Sequence, residues 1–117
     1  VSDDSLIRLR DALRAFAEER DWAQFHNPKN LAMALTGEVG ELVEHFQWLS
    51  AEQSAALDPA TRREVALEMA DVLLYLVRMA DTLGIDLAEV AGAKLAINAE
   101  RYPVERARGT SKKYDRL

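Results

Sequence analysis

The sequence holds 117 residues, 49% of them hydrophobic and 30% charged, with a net charge of −5. That length suits one globular domain over residues 1–117, and the acidic balance excludes a general binder of nucleic-acid polymers, which needs a basic face to release counterions. With no cysteine, disulfides and thiolate metal centres are excluded and a reducing, cytoplasmic compartment is expected; no signal peptide or apolar span of membrane length is visible, so no membrane partner is expected.

Leu6, Leu9, Leu13, Phe16 and Ala17 recur at helical spacing and predict an amphipathic helix to about Arg20, capped by Ser2 or Asp3. Residues 21–27 break that period and read as a loop carrying Trp22, Phe25 and His26. Asn27-Pro28 then reads as an N-cap followed by proline at the first helical position. The second helix is expected from Pro28 to about Leu49, with Leu31, Leu35, Leu42, Phe46 and Leu49 toward the core. Beside that stripe run Glu38, Glu41, His45 and Trp48. Gly37 and Gly40 interrupt this helix, read either as close approach to the backbone or as tolerated weakness.

Ser50-Ala-Glu-Gln53 predicts a capping box on a short helix ending near Leu57. Asp58-Pro59 opens a third long-range element, expected to stop at Gly84. Asp86 caps a further helix that Pro103 terminates near Tyr102. Residues 104–117 are polar and read as a tail that orders against a ligand or a neighbouring subunit. With no strand signal, the expected fold is all-α, a bundle of four or five helices.

Four acids carry the chemistry. Glu38 and Glu41, then Glu68 and Asp71, stand three residues apart on helices, so each pair shares a face. Glu68, Asp71 and Tyr75 form a narrow polar stripe with Val65, Val72, Leu76 and Met79 on one side and Leu67 and Leu74 on the other. Apolar flanks on both sides direct these acids into the bundle or a cleft. Clustered carboxylates away from water repel one another, which an oxygen-preferring divalent cation, Mg²⁺ or Mn²⁺, would relieve. The competing reading pairs them with arginines such as Arg8, Arg10 or Arg78. Trp22, His26 and Trp48 fit either a pocket for a flat ring or ordinary packing. Lys94, Asn98, Arg101 and Tyr102 share a helix face suited either to phosphates or to solvent.

The acid pattern resembles the all-α nucleoside triphosphate pyrophosphatases, the MazG-like superfamily. Over roughly residues 13–114 the sequence is most similar to its dCTP pyrophosphatase branch. The matching text is Trp22-Ala-Gln-Phe-His26-Asn-Pro-Lys-Asn-Leu, Leu35-Thr-Gly-Glu-Val-Gly-Glu-Leu-Val-Glu-His-Phe-Gln-Trp48, Glu68-Met-Ala-Asp-Val-Leu-Leu-Tyr75, Asn98-Ala-Glu-Arg-Tyr-Pro103 and Arg108-Gly-Thr-Ser-Lys-Lys-Tyr114. The linker from Ala51 to Arg63 departs from that pattern. The resemblance implies hydrolysis of a deoxynucleoside triphosphate, dCTP or a relative, to monophosphate and pyrophosphate. It implies Mg²⁺ on Glu38, Glu41, Glu68 and Asp71, with Glu38 or Glu41 as base or water-positioner. Trp22, His26 and Trp48 would hold the base, Tyr75 would crowd a 2′-hydroxyl, and Lys94, Asn98 and Tyr102 would contact phosphates or nucleotide. A homo-oligomer, tetramer or dimer, is implied, with sites near subunit interfaces. The alternatives are a phosphoribosyl-ATP pyrophosphohydrolase-like enzyme and a non-catalytic, nucleotide-binding oligomerisation module.

Overall fold

The computed structural model describes residues 3–117, with side chains from Ser5 onward; the cap expected at Ser2 or Asp3 lies outside that description. Every regular element among these residues is helical: α1 (Asp3–Glu19), α2 (Pro28–Glu44), α3 (Ala51–Ser54), α4 (Pro59–Leu83), α5 (Leu87–Arg101) and α6 (Val104–Ala107). Two of the six, α3 and α6, are single turns of four residues. Short 3-10 turns cover Ala23–Phe25 and Tyr114–Arg116. None of the helices is long and apolar enough to cross a membrane. The chain divides into two compact units, one ending at Ile85 and one running from Asp86 to Leu117.

Local chemistry sets most of the boundaries. The Asn27 side chain accepts a hydrogen bond from Asn30 N at 2.9 Å ahead of Pro28, and Asp58 does the same for Thr61 N at 2.9 Å ahead of Pro59. Each satisfies a backbone donor that the first helical turn cannot pair internally. Ser50 and Gln53 form the expected reciprocal capping box. Gly84, at φ 66°, supplies the left-handed residue that ends α4.

In the first unit α4 packs chiefly on α2 and to a lesser extent on α1. Ala17, Leu31, Val65, Val77 and Ala80 are its buried apolar residues. Much apolar surface stays open, including Met33 (64% exposed) and Val43 on α2, and Leu67 and Met69 on α4. A Cβ added at Gly37 or Gly40 would meet nothing within 4 Å, so no neighbour among the described residues crowds the backbone there.

One expectation is corrected. The second long helix ends at Glu44, not near Leu49. His45 N bonds Leu42 O and Phe46 N bonds Val43 O, both three residues back. This tightening ends the 3.6-residue period, so Trp48 no longer follows the Glu38–Glu41 stripe. The C-terminal residues, expected as a polar tail that orders against a ligand or a neighbouring subunit, carry the single turn α6 and the second 3-10 turn. In the second unit the Tyr114 ring meets Tyr102 edge-on at 6.1 Å, and the Arg101 guanidinium lies 4.7 Å from its centroid. Aromatic and cation–π contacts order the segment against the end of α5.

Candidate active site

Two features of the first unit form the candidate site: an acidic cluster between α2 and α4, and a cavity beside it. Glu38 and Glu41 from α2 and Glu68 from α4 each offer a carboxylate oxygen, and the three oxygens lie within 4.8 Å of one another. Glu38 and Glu68 are half-buried, and Glu41 is exposed. Glu38 Oε2 and Glu68 Oε2 are buried with no hydrogen-bond partner. Burial, then the Glu41 carboxylate, then the charges of Asp71 and Glu68 push Glu38 up to about 7. Burial and Glu41 also raise Glu68. Like charges brought together away from water favour the protonated form.

No arginine or lysine relieves this cluster among the described residues. Arg10 pairs with Asp11, Arg14 and Arg78 pair with Asp81, and Arg20 pairs with Glu19. The ion-pair alternative drawn from the sequence therefore fails for Arg10 and Arg78. Two buried oxygens without donors and an all-oxygen ligand set fit a hard divalent cation. Asp71 stands apart from the three converging oxygens. It is exposed and lines the neighbouring cavity, though its charge still reaches Glu38 and Glu68.

That cavity, about 370 Å³, lies between α1, α4 and the turn joining α1 to α2. Trp22, His26 and Tyr75 line it, over an apolar floor from Leu9, Leu13, Phe16, Leu31 and Leu74. A mostly apolar hollow with a few convergent polar groups is the usual form of a small-molecule site. Trp22 owes its place to the way α1 stops. Trp22 N reaches Ala17 O at 2.8 Å and Asp21 N reaches Glu18 O at 3.1 Å, with Asp21 in the left-handed region at φ 55°. This is a Schellman ending with aspartate where glycine is usual. Gln24 Nε2 donates to both Asp21 O and Asp21 Oδ2 at 3.0 Å, bracing the turn. The Trp22 indole then meets Phe16 edge-on at 5.6 Å and His26 at 6.3 Å.

Trp48 does not join this group. It is 86% exposed and is not part of the cavity wall. Lys94, Asn98 and Tyr102 belong to the second unit. There Lys94 is exposed, Asn98 and Tyr102 are half-buried, and Tyr102 holds Tyr114.

The sequence reading missed Arg78 as a component of the cavity. Among the described residues it is the one buried polar or charged residue, at 8% exposure. Its Nε donates to His26 Nδ1 at 3.0 Å, and its Nη1 donates to Asp81 Oδ2 at 3.2 Å. Arg14 from α1 closes on the same carboxylate, Nη2 to Oδ1 at 2.6 Å and Nε to Oδ2 at 3.1 Å. The Arg14 guanidinium, with Arg78 adding to it, holds Asp81 below the usual carboxylate range against the opposing effect of burial. The three-residue spacing of Arg78 and Asp81 was the available signal.

The MazG-like family model matches residues 34–117. The chain belongs to the MazG-like family. Among curated relatives, dCTP pyrophosphatase 1 of Mus musculus and that of Homo sapiens are each 47% identical over 117 residues, covering 98% of this chain and 69% of theirs. The Bos taurus protein of the same name is 43% identical over 118 residues, covering 99% of this chain and 70% of its own. A crystal structure of a pyrophosphatase from Archaeoglobus fulgidus aligns with TM-score 0.80 at 38% identity, over 85% of this chain and 93% of that one. The acidic cluster stands on α2 and α4, beside the cavity that α1 helps to line.

Proposed function

We propose that the chain is a Mg²⁺-dependent nucleoside triphosphate pyrophosphatase acting on dCTP or a related deoxynucleoside triphosphate, 5-modified cytosines included. The observation that carries this reading is the meeting of Glu38, Glu41 and Glu68 with two buried, donorless oxygens and, among the described residues, no protein cation. The shared name of the relatives supports the choice of substrate.

Glu38, Glu41 and Glu68 would hold Mg²⁺ or Mn²⁺, with Asp71 closing the set from the cavity side. When bound, such an ion neutralises charge on the phosphates. Glu38 or Glu41 takes a proton from the attacking water. The water oxygen bonds to the α-phosphorus while the bond from that phosphorus to the α,β-bridging oxygen breaks, and pyrophosphate leaves. Trp22 and His26 hold the base in the cavity, and Tyr75 crowds the sugar and disfavours a 2′-hydroxyl. Lys94, Asn98 and Tyr102 meet phosphates or nucleotide.

The working form is a homo-oligomer, dimer or tetramer. Exposed Met33, Val43, Leu67 and Met69 give α2 and α4 apolar surface to bury against another copy. Trp48, open to solvent in one chain, would reach a base in a site completed at such an interface. The role is sanitation of the cytoplasmic nucleotide pool.

The test is a panel of common and 5-modified deoxynucleoside triphosphates with Mg²⁺, with products separated by chromatography. Monophosphate and pyrophosphate are expected. Release of orthophosphate would contradict cleavage at the α-phosphorus, and no turnover of any triphosphate would contradict an enzyme.

A further inference from the structure

Arg14, Asp81, Arg78 and His26 form a chain of polar contacts from the surface of α1 to the wall of the cavity. Its inner members are nearly enclosed, with side-chain exposures of 10% for Arg78 and 11% for Asp81. A structural ion pair would be complete with Asp81 and the two guanidinium groups. The remaining contact, from Arg78 Nε to His26 Nδ1, joins that pair to a side chain facing the cavity.

The contact has a definite sense. A guanidinium has only donors, so the ring nitrogen opposite it must present its lone pair. The single proton of the imidazole then sits on Nε2. An imidazolium would set N–H against N–H, and burial together with the Arg78 charge accordingly holds His26 below the usual imidazole range. Nε2 makes no hydrogen bond to protein among the described residues, and His26 lines the cavity beside Trp22 and Tyr75.

We propose that Arg78 is a positioning residue for base recognition, fixing His26 as its Nε2–H tautomer so that the ring is a donor toward an acceptor on a pyrimidine. The inference rests on the proposed nucleotide site. Cytosine offers two adjacent acceptors, the O2 carbonyl and the N3 lone pair, while its exocyclic amine is a donor that this nitrogen cannot serve. Asp81 keeps Arg78 in place, and Arg14 keeps Asp81 paired if Arg78 is lost. Arg78→Met therefore removes the donor to His26 without leaving a buried carboxylate alone.

Two measurements test this. The protein has only two histidines, so long-range ¹H–¹⁵N correlation spectra of the metal-free, nucleotide-free protein at pH 7.5 resolve each ring. His26 is expected to show a lone-pair-type Nδ1 and a protonated Nε2, and Arg78→Met is expected to move both toward tautomer-averaged shifts. A protonated Nδ1 in the parent protein, or unchanged shifts in the variant, overturns the proposal. The second measurement is a double-mutant cycle on dCTP hydrolysis. Arg78→Met should raise KM about threefold to tenfold, the scale of one neutral hydrogen bond, with a much smaller change in kcat. His26→Ala should raise KM at least as much, and adding Arg78→Met to it should change nothing further. Additive effects would mean that Arg78 acts on substrate or fold by another route, and would overturn the proposal. Absence of turnover in the parent protein would fail the enzyme reading; the spectra would still show whether Arg78 sets the tautomer.

Discussion

Glu38 and Glu68 come from different helices, yet each turns a buried carboxylate oxygen, without any donor, into the same small volume. Two such oxygens in one place destabilise the metal-free protein in their ionised state. Replacing one carboxylate by its amide removes a charge at almost constant shape. Glu68→Gln should therefore raise the melting temperature of the metal-free protein while lowering pyrophosphatase activity by more than about a hundredfold, beyond the usual cost of a residue that merely supports a ligand. Thermal melts in chelator and steady-state rates with Mg²⁺ measure the two effects, which run in opposite directions.

The same crowding gives a pH signature. Glu38 is raised from an ordinary value of 4.5 to about 7. Between those values the folded chain keeps a proton that the unfolded chain has released, so stability without metal falls as pH rises through that window. A divalent cation held as proposed would compete with the proton for the same oxygens. The rise in melting temperature on adding Mg²⁺ should be larger at pH 8 than at pH 6. Scanning calorimetry with and without Mg²⁺ at the two values checks the sign.

Asp21 tests how the aromatic wall is built. Its left-handed backbone costs a residue with a side chain roughly 1–2 kcal/mol, which the Gln24 bridge helps to offset. Asp21→Val should destabilise the fold by about that amount or more, since β-branching adds crowding at positive φ. Asp21→Gly should be close to neutral. Urea denaturation gives the stabilities, and the KM for dCTP should rise in the valine variant as Trp22 shifts.

Exposed Met69 lies on α4 one residue from Glu68 and is 58% exposed. Its conversion to glutamate costs an isolated chain little, since a surface change of this kind is usually within about 0.5 kcal/mol. Should that surface be covered by another copy, Met69→Glu buries a charge without a partner. Light scattering after size-exclusion chromatography is expected to show the parent protein as dimer or tetramer and the variant as smaller species.

What the sequence makes legible is mostly short-range. Asn27-Pro28, the Ser50–Gln53 box, Asp58-Pro59 and Gly84 each state a helix end within four residues, and the structure places those ends there. The end of α2 has no such mark. His45-Phe-Gln-Trp48 keeps an apolar rhythm that suits helix, and only the tight hydrogen bonds at His45 and Phe46 break it. Helical spacing accounts for the meeting of Glu38, Glu41 and Glu68, because the direction of each acid follows from its own helix. Asp71, a turn further along α4, is not among the three converging oxygens and lines the cavity instead. The His26–Arg78 contact spans 52 residues and has no local sign. Pairing across such a distance depends on how α1, α4 and the turn between α1 and α2 meet.

Arg78, the basic residue in the cavity wall among the described residues, and Arg14 behind it are already engaged. Arg78 and Arg14 are committed to Asp81 and His26, and the acids beside them have no protein cation among the described residues. A polyanionic substrate approaching this corner alone meets repulsion on a chain that is already net negative. Order of arrival then matters. Nucleotide and divalent ion should load as one complex, and excess free triphosphate should starve the protein of metal and inhibit it.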